Sequence, residues 1–289
     1  MDSSNNKTNN IKGFTLIELV VVIVLLGIMS VGITSFINLS TQIYVNVADR
    51  DELIASARFA VERLNRELRN ALPNSVRVTN DATNQCIEFV PIKASTVYTD
   101  IPVSPEPETD TITVIEFQDE NGNGDNYDCP VNETNCSDKV AVYPLNAGEI
   151  NAIQYDLTGK VFGLKSVDHA NPSASEWTLT LDRTLGVQFD SDSPTKRLYI
   201  INNPVSFCVT GNTLVRYDIN GFSVTQSIKQ KSNAILMADN LADLNVADLP
   251  FVINPATLQR NANVQVKLHF QREGEDFVFN NDIHLVNVP

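Results

Sequence analysis

Residues 19–37 read LVVVIVLLGIMSVGITSFI and contain no charged side chain. Nineteen residues at the helical rise make about 28 Å, close to the roughly 30 Å hydrocarbon thickness of a bilayer. The Val/Ile run at 20–24 would suit a buried strand by itself, but the length of the uncharged stretch decides for a helix. Its apolar residues surround the helix instead of forming a stripe, which favours a membrane span over a core helix. Beyond it, Ile43, Val47, Ile54, Ala57, Val61, Leu64, Leu68 and Ala71 recur at steps of three and four, or seven where Arg50 intervenes. That period predicts one apolar face on a continuing helix. The opposite face carries Arg58, Glu62 and Arg66, and also Arg63 and Glu67, all at i, i+4 spacing. Pro73 ends the pattern, with Arg66 and Arg69 suited to the negative end of the dipole. The expectation is one helix over 14–72, a transmembrane half at 14–37 and an amphipathic half at 38–72.

After Pro73 the period changes to short β-rich runs: CIEFVPI (86–92), TITVIEF (111–117), KVAVYPL (139–145), EWTLTLD (176–182) and RLYII (197–201). VSFCVTGNTLVRYDI places Gly-Asn between two such runs, and the terminal VQVKLHFQREGEDFVFNNDIHLVNV reads as a hairpin around Glu273–Glu275. No helical repeat alternates with the strands, so the predicted class is α+β: a long N-terminal helix packed on an antiparallel β-rich head over 73–289. PVSPEPETD (102–110) is an acidic, proline-rich loop, and there is no internal repeat.

The charge balance, 21 Lys+Arg against 35 Asp+Glu or −14 over 289 residues, argues against a nucleic-acid partner, since that affinity is built from cations facing phosphates. The polar start MDSSNNKTNNIKG carries Lys7 and Lys12 against Asp2, which keeps the N-terminus cytoplasmic and places the head across the membrane. A secretory signal would have its small-residue cleavage site after the apolar stretch, whereas Gly13 precedes it.

The four cysteines lack C-x-x-C spacing, so disulfides in an oxidising compartment are the better expectation. Three pairings are open. Cys129–Cys136 is favoured as local, and Cys86–Cys208 as a bridge between adjacent strands, with two buried free thiols as the alternative for the latter. Asp119, Asn121, Asn123 and Asp125 match the start of an EF-hand calcium loop, but Pro130 stands where the bidentate glutamate belongs. A solvated Asx-turn loop is therefore the expectation there, with calcium the alternative. No other cofactor is implied. His169, His269 and His284 are far apart in sequence, although the last two could face each other across the terminal hairpin. No nucleophile elbow, Walker loop, H-E-x-x-H or dinucleotide fingerprint occurs, so a non-enzymatic protein is expected.

The segment KGFTLIELVVVIVLLGI (12–28) resembles the class III prepilin signal of type IV pilins and type II secretion pseudopilins. The resemblance implies that a membrane prepilin peptidase removes residues 1–13 by cutting after Gly13 and N-methylates Phe14. A carboxylate at Glu18 costs a few kcal/mol in lipid unless partnered. The resemblance supplies a partner, the amino terminus of a neighbouring subunit; the plainer reading is a helix-start residue favoured by the dipole. RFAVERLNRELRNALPNSVRV (58–78) and the terminal HLVNVP are similar to minor pilins of the mannose-sensitive haemagglutinin (MSHA) pilus, to J-type pseudopilins and to W-type minor pilins. The K-type pseudopilin lacks the glutamate that Glu18 supplies. The implied protein is a single-pass subunit of the bacterial inner membrane with a periplasmic head, entering a filament or its tip complex. Its implied partners are the peptidase, other minor pilins, a major pilin and the inner-membrane assembly platform. A tethered periplasmic receptor or adhesin is the rival from another class.

Overall fold

A computed structural model describes residues 13–118, 127, 131–132, 135–151, 157–168, 176–228, 233–255, 262–272 and 274–285. The chain divides into two compact units, Met1–Glu52 and Leu53–Pro289. One helix, α1 (Leu16–Arg69), runs unbroken for 54 residues, with Glu18 in its first turn and Arg66 and Arg69 in its last. At about 1.5 Å per residue it is roughly 80 Å long, far more than a bilayer needs. Glycines 27 and 32 do not interrupt it, because no proline accompanies them and the i to i−4 ladder continues.

In the first unit every residue from 13 to 48 is exposed in the isolated chain, including Leu16, Ile28 and Phe36. Apolar surface of that extent on all sides of a helix requires lipid or other chains to cover it. Ile43 and Val47, expected on the packed face, belong to this exposed stretch.

The second unit is built on the last turns of α1. Leu53, Ala57, Ala60, Val61, Leu64 and Leu68 are buried, a stripe at three- and four-residue steps. Ala57, Val61, Leu64, Leu68 and Ala71 are buried as expected, whereas at the start of the stripe Leu53 is buried and Ile54 only half-buried. It packs on two antiparallel sheets. The first has five strands in the order Arg77–Asn80, Asn84–Phe89, Val205–Thr210, Thr213–Asp218 and Ile235–Ala238; the second has three, Phe251–Asn254, Asn263–Arg272 and Glu275–His284. Ile87, Phe89, Phe207, Leu214, Phe251, Leu268 and Phe270 meet the helix stripe in this core.

Glu67 takes part in two ion pairs, with Arg63 at 2.9 Å on the same helix and with Arg216 at 2.9 Å on the five-stranded sheet. Arg58, Glu62 and Arg66 are exposed and form no ion pair among the described residues. The helix stops at Arg69 instead of Leu72. Leu72 precedes Pro73 and is pushed out of the α region, and the backbone turns to pair instead: Leu72 N–H donates to the Val90 carbonyl at 2.8 Å and Ile92 N–H to that of Asn70 at 2.9 Å.

Six of the remaining strands close into an antiparallel barrel: Glu176–Leu181, Thr111–Ile115, Ile92–Asp100, Arg197–Ile201, Lys139–Val142 and Val161–Asp168, the last pairing back to the first. Its interior is filled by side chains such as Ile112, Val114, Leu164, Leu179 and Leu198, so it is a packed core and not a ligand cavity. The runs predicted at 86, 111, 139, 176 and 197 all contain strands, and the Gly-Asn run forms a hairpin with a two-residue turn, Gly211 taking φ +55°. Among the described residues pairing is antiparallel except where Thr158–Gly159 meets Gln188–Phe189 and at the isolated bridge between Val103 and Phe189.

The two helix-bearing sheets share no strand, and a side chain joins them. Gln85 is fully buried; its Nε2 donates to the Phe251 carbonyl and its Oε1 accepts from the Phe251 N–H, both at 2.8 Å. The amide thus completes the free edge of a strand 166 residues away. Gln85→Leu leaves both backbone groups buried without partners, each costing about 1–3 kcal/mol. Urea denaturation of the second unit, followed in the full chain in detergent, should show a loss of about 2 kcal/mol or more.

Candidate functional site

The start of α1 is shaped by residues that the packing of the chain does not explain. Gly13 lies outside regular structure just before the helix, and a Cβ placed on it would meet no described atom within 4 Å. Among the described residues no contact requires glycine there. Phe14 follows with 87% of its surface exposed.

Thr15 and Glu18 close a reciprocal cap. The Glu18 N–H donates to Thr15 Oγ1 at 3.3 Å, and the Thr15 N–H donates to Glu18 Oε2 at 3.5 Å. This is a capping box, with threonine at the N-cap and glutamate three residues on, satisfying two donors that a helix start leaves open. The carboxylate also lies at the positive end of the helix dipole. Among the described residues no cationic side chain pairs with Glu18. The cap uses one oxygen weakly, so most of the carboxylate's hydrogen-bonding capacity remains directed outward. The capping box was readable as Thr-x-x-Glu before an apolar run, a signal overlooked beside the stronger motif that contains it.

The other predicted residues lie elsewhere. Cys86 and Cys208 are directly opposite on neighbouring antiparallel strands and form a disulfide, with their Cα atoms 4.1 Å apart. It sits on the face of the five-stranded sheet away from α1, among Val215, Tyr217 and Ile219. Gln226 Nε2 donates to the Cys86 carbonyl at 2.9 Å, laying the following segment over the bridge. Burial pushes the Tyr217 phenol above its usual pKa. Cys136 is also disulfide-bonded; Cys129, its expected partner, lies outside the described residues.

The calcium alternative at Asp119, Asn121, Asn123 and Asp125 lies outside them too, as does His169. No group of three His, Cys, Asp or Glu side chains that could hold a metal occurs among the described residues. His269 and His284 do not face each other: His269 stands opposite Val278 and His284 opposite Asn263. The register of the two strands, with Arg272 opposite Glu275, separates them. His269 pairs instead with Asp276 at 2.9 Å.

Residues 8–34 match the family model described as the prokaryotic N-terminal methylation motif. The match supports the type IV pilin and pseudopilin family, and it covers 27 of 289 residues. No curated protein and no solved structure matches the chain.

Proposed function

We propose that the chain is a minor pilin: a prepilin cleaved after Gly13, methylated on Phe14, and drawn through Glu18 into a type IV pilus or its initiating complex. The observation that carries this reading is the start of α1. Gly13, which no described contact requires, is followed by an exposed Phe14 and by Glu18, which pairs with no cation among the described residues, and the methylation motif spans the same residues. The apolar helix then serves as membrane anchor before assembly and as packing surface after it, consistent with a single-pass protein. Residues 14–37 would lie in the inner membrane with the N-terminus cytoplasmic. The β-rich head would be periplasmic or at the pilus tip. Oxidising conditions there suit the Cys86–Cys208 bridge.

Within the family, the similarity of residues 58–78 points to the O minor pilin of the MSHA pilus, with the J-type pseudopilin of type II secretion as its nearest rival. The partners under this reading are the prepilin peptidase, the major pilin, other minor pilins and the assembly platform. The role is structural, in pilus biogenesis, and not catalytic.

Intact mass of the protein extracted from membranes should begin at N-methyl-Phe14, and the protein should be co-recovered with other pilin-like subunits. A mature chain that keeps residues 1–13 would overturn the assignment. Recovery alone, without pilin-like partners, would favour a tethered receptor. Loss of pili on deletion, with secretion intact, separates the pilus from the secretion reading.

A further inference from the structure

Asn84–Phe89 and Val205–Thr210 are neighbours in the five-stranded sheet, and Phe89 stands directly opposite Val205. All six barrel strands fall between them, within residues 92–201. The chain therefore leaves the sheet at Phe89, builds the barrel, and returns beside its point of departure through the short links 90–91 and 202–204. Adjacent entry and exit are what a domain insertion requires, since the host strands pair as they would across a hairpin.

Packing follows the same division. The barrel core, from Ala94 to Ile200, shares no residue with the core between α1 and the two sheets. The two meet through a smaller cluster, in which Leu72 and Val90 contact Ala141, Ile150, Val161, Tyr199 and Ile201. Charge is divided too. Residues 92–201 hold 7 Lys+Arg and 18 Asp+Glu, a net of 7 − 18 = −11 out of the −14 of the whole chain. The rest, at −14 + 11 = −3, is close to neutral.

We propose that residues 92–201 are an inserted domain with its own folding equilibrium, and that assembly needs only residues 14–91 and 202–289. The second clause rests on the minor-pilin reading; the first does not. The inserted barrel is then the part of the head free to change without disturbing the subunit's place in a filament, and it carries most of the charge that other molecules meet.

The chain has a single tryptophan, Trp177, 4% exposed in the barrel core and 5.1 Å from Phe117, so its fluorescence reports on the barrel alone. Full-length mature protein in detergent is titrated with urea and followed by Trp177 fluorescence. Pulsed hydrogen exchange with mass analysis then reads residues 176–181 in the barrel and 205–210 in the five-stranded sheet. Leu179→Ala, at a fully buried barrel position, should move the Trp177 midpoint and the protection of 176–181 down by about 1 M urea or more. Protection of 205–210 should keep its midpoint. A joint shift of all three overturns the independent equilibrium.

For the second clause, residues 92–201 are replaced by Asn-Gly in the full chain. Retained protection of 205–210 together with co-recovery at the wild-type level supports the proposal. Lost protection overturns the first clause. Retained protection without co-recovery, while intact chain is co-recovered, overturns the second. If the intact chain itself is not co-recovered with pilin-like subunits, it is the minor-pilin reading that has failed.

Discussion

Glu18→Gln should leave the subunit inserted, cleaved and methylated, yet lower its co-recovery with other pilin-like subunits tenfold or more. The glutamine keeps the cap: at the third helical position it accepts from the Thr15 N–H as glutamate does. What it removes is the charge. In lipid an ion pair is far less screened than in water, and removing one partner leaves the other uncompensated. A loss of only about 1.4 kcal/mol already gives tenfold, and a charge stranded in a membrane costs more than that.

Thr15→Ala is the complementary change. It removes the hydroxyl that caps the Glu18 N–H and costs the helix start about 1 kcal/mol, while the carboxylate remains. Recovery should stay near wild type. The opposite pattern, with Glu18→Gln normal and Thr15→Ala deficient, would make Glu18 a helix-start residue and nothing more. Each variant is read by intact mass for processing and by pull-down for assembly, so failure to be cleaved is not confused with failure to assemble.

The sequence carried the parts of this molecule that depend on neighbours along the chain. An uncharged run of nineteen residues leaves no alternative to a helix, and the Val/Ile-rich runs after Pro73 could only be strands. The cross-strand bridge was legible because Cys86 and Cys208 each sat inside such a run. The barrel was not legible, because closure depends on which strands pair over long distances. The strand Ile92–Asp100 reads IKASTVYTD, with Ala94, Thr96 and Tyr98 on its buried side, a pattern too polar to stand out. Val161–Asp168 follows a segment without a clear period and was not foreseen at all. The helix stripe was legible from Ala57 to Ala71 but not at its start: Leu53 and Ile54 are both apolar, and only the sheets behind α1 decide which is covered. At the site, Gly13, Phe14 and Glu18 were legible as a motif. That no described atom packs against Gly13 is a property of the fold, which the motif does not carry.

Replacing Cys86 and Cys208 by alanine should cost the five-stranded sheet an amount set by the state of the barrel. The two cysteines are 122 residues apart, and closing a loop of that length in a fully unfolded chain is worth about 5 kcal/mol. If residues 92–201 stay folded while the sheet opens, the barrel holds its own ends together. The disulfide then closes only the segments 86–91 and 202–208, an effective loop for which the same relation gives about 3 kcal/mol. The barrel's core of Ile112, Val114, Leu164, Leu179 and Leu198 is closed on itself without help from α1, so the wild-type chain is expected to show the smaller value, with Trp177 still native as protection of residues 205–210 is lost. In the Leu179→Ala background the barrel opens first, and the same cysteine pair should then cost about 2 kcal/mol more. The cavity left by the missing sulfurs is common to both backgrounds and cancels in the cycle. Urea midpoints of the four chains measure the difference. Equal losses near 5 kcal/mol in both backgrounds would mean that barrel and sheet unfold together as one head.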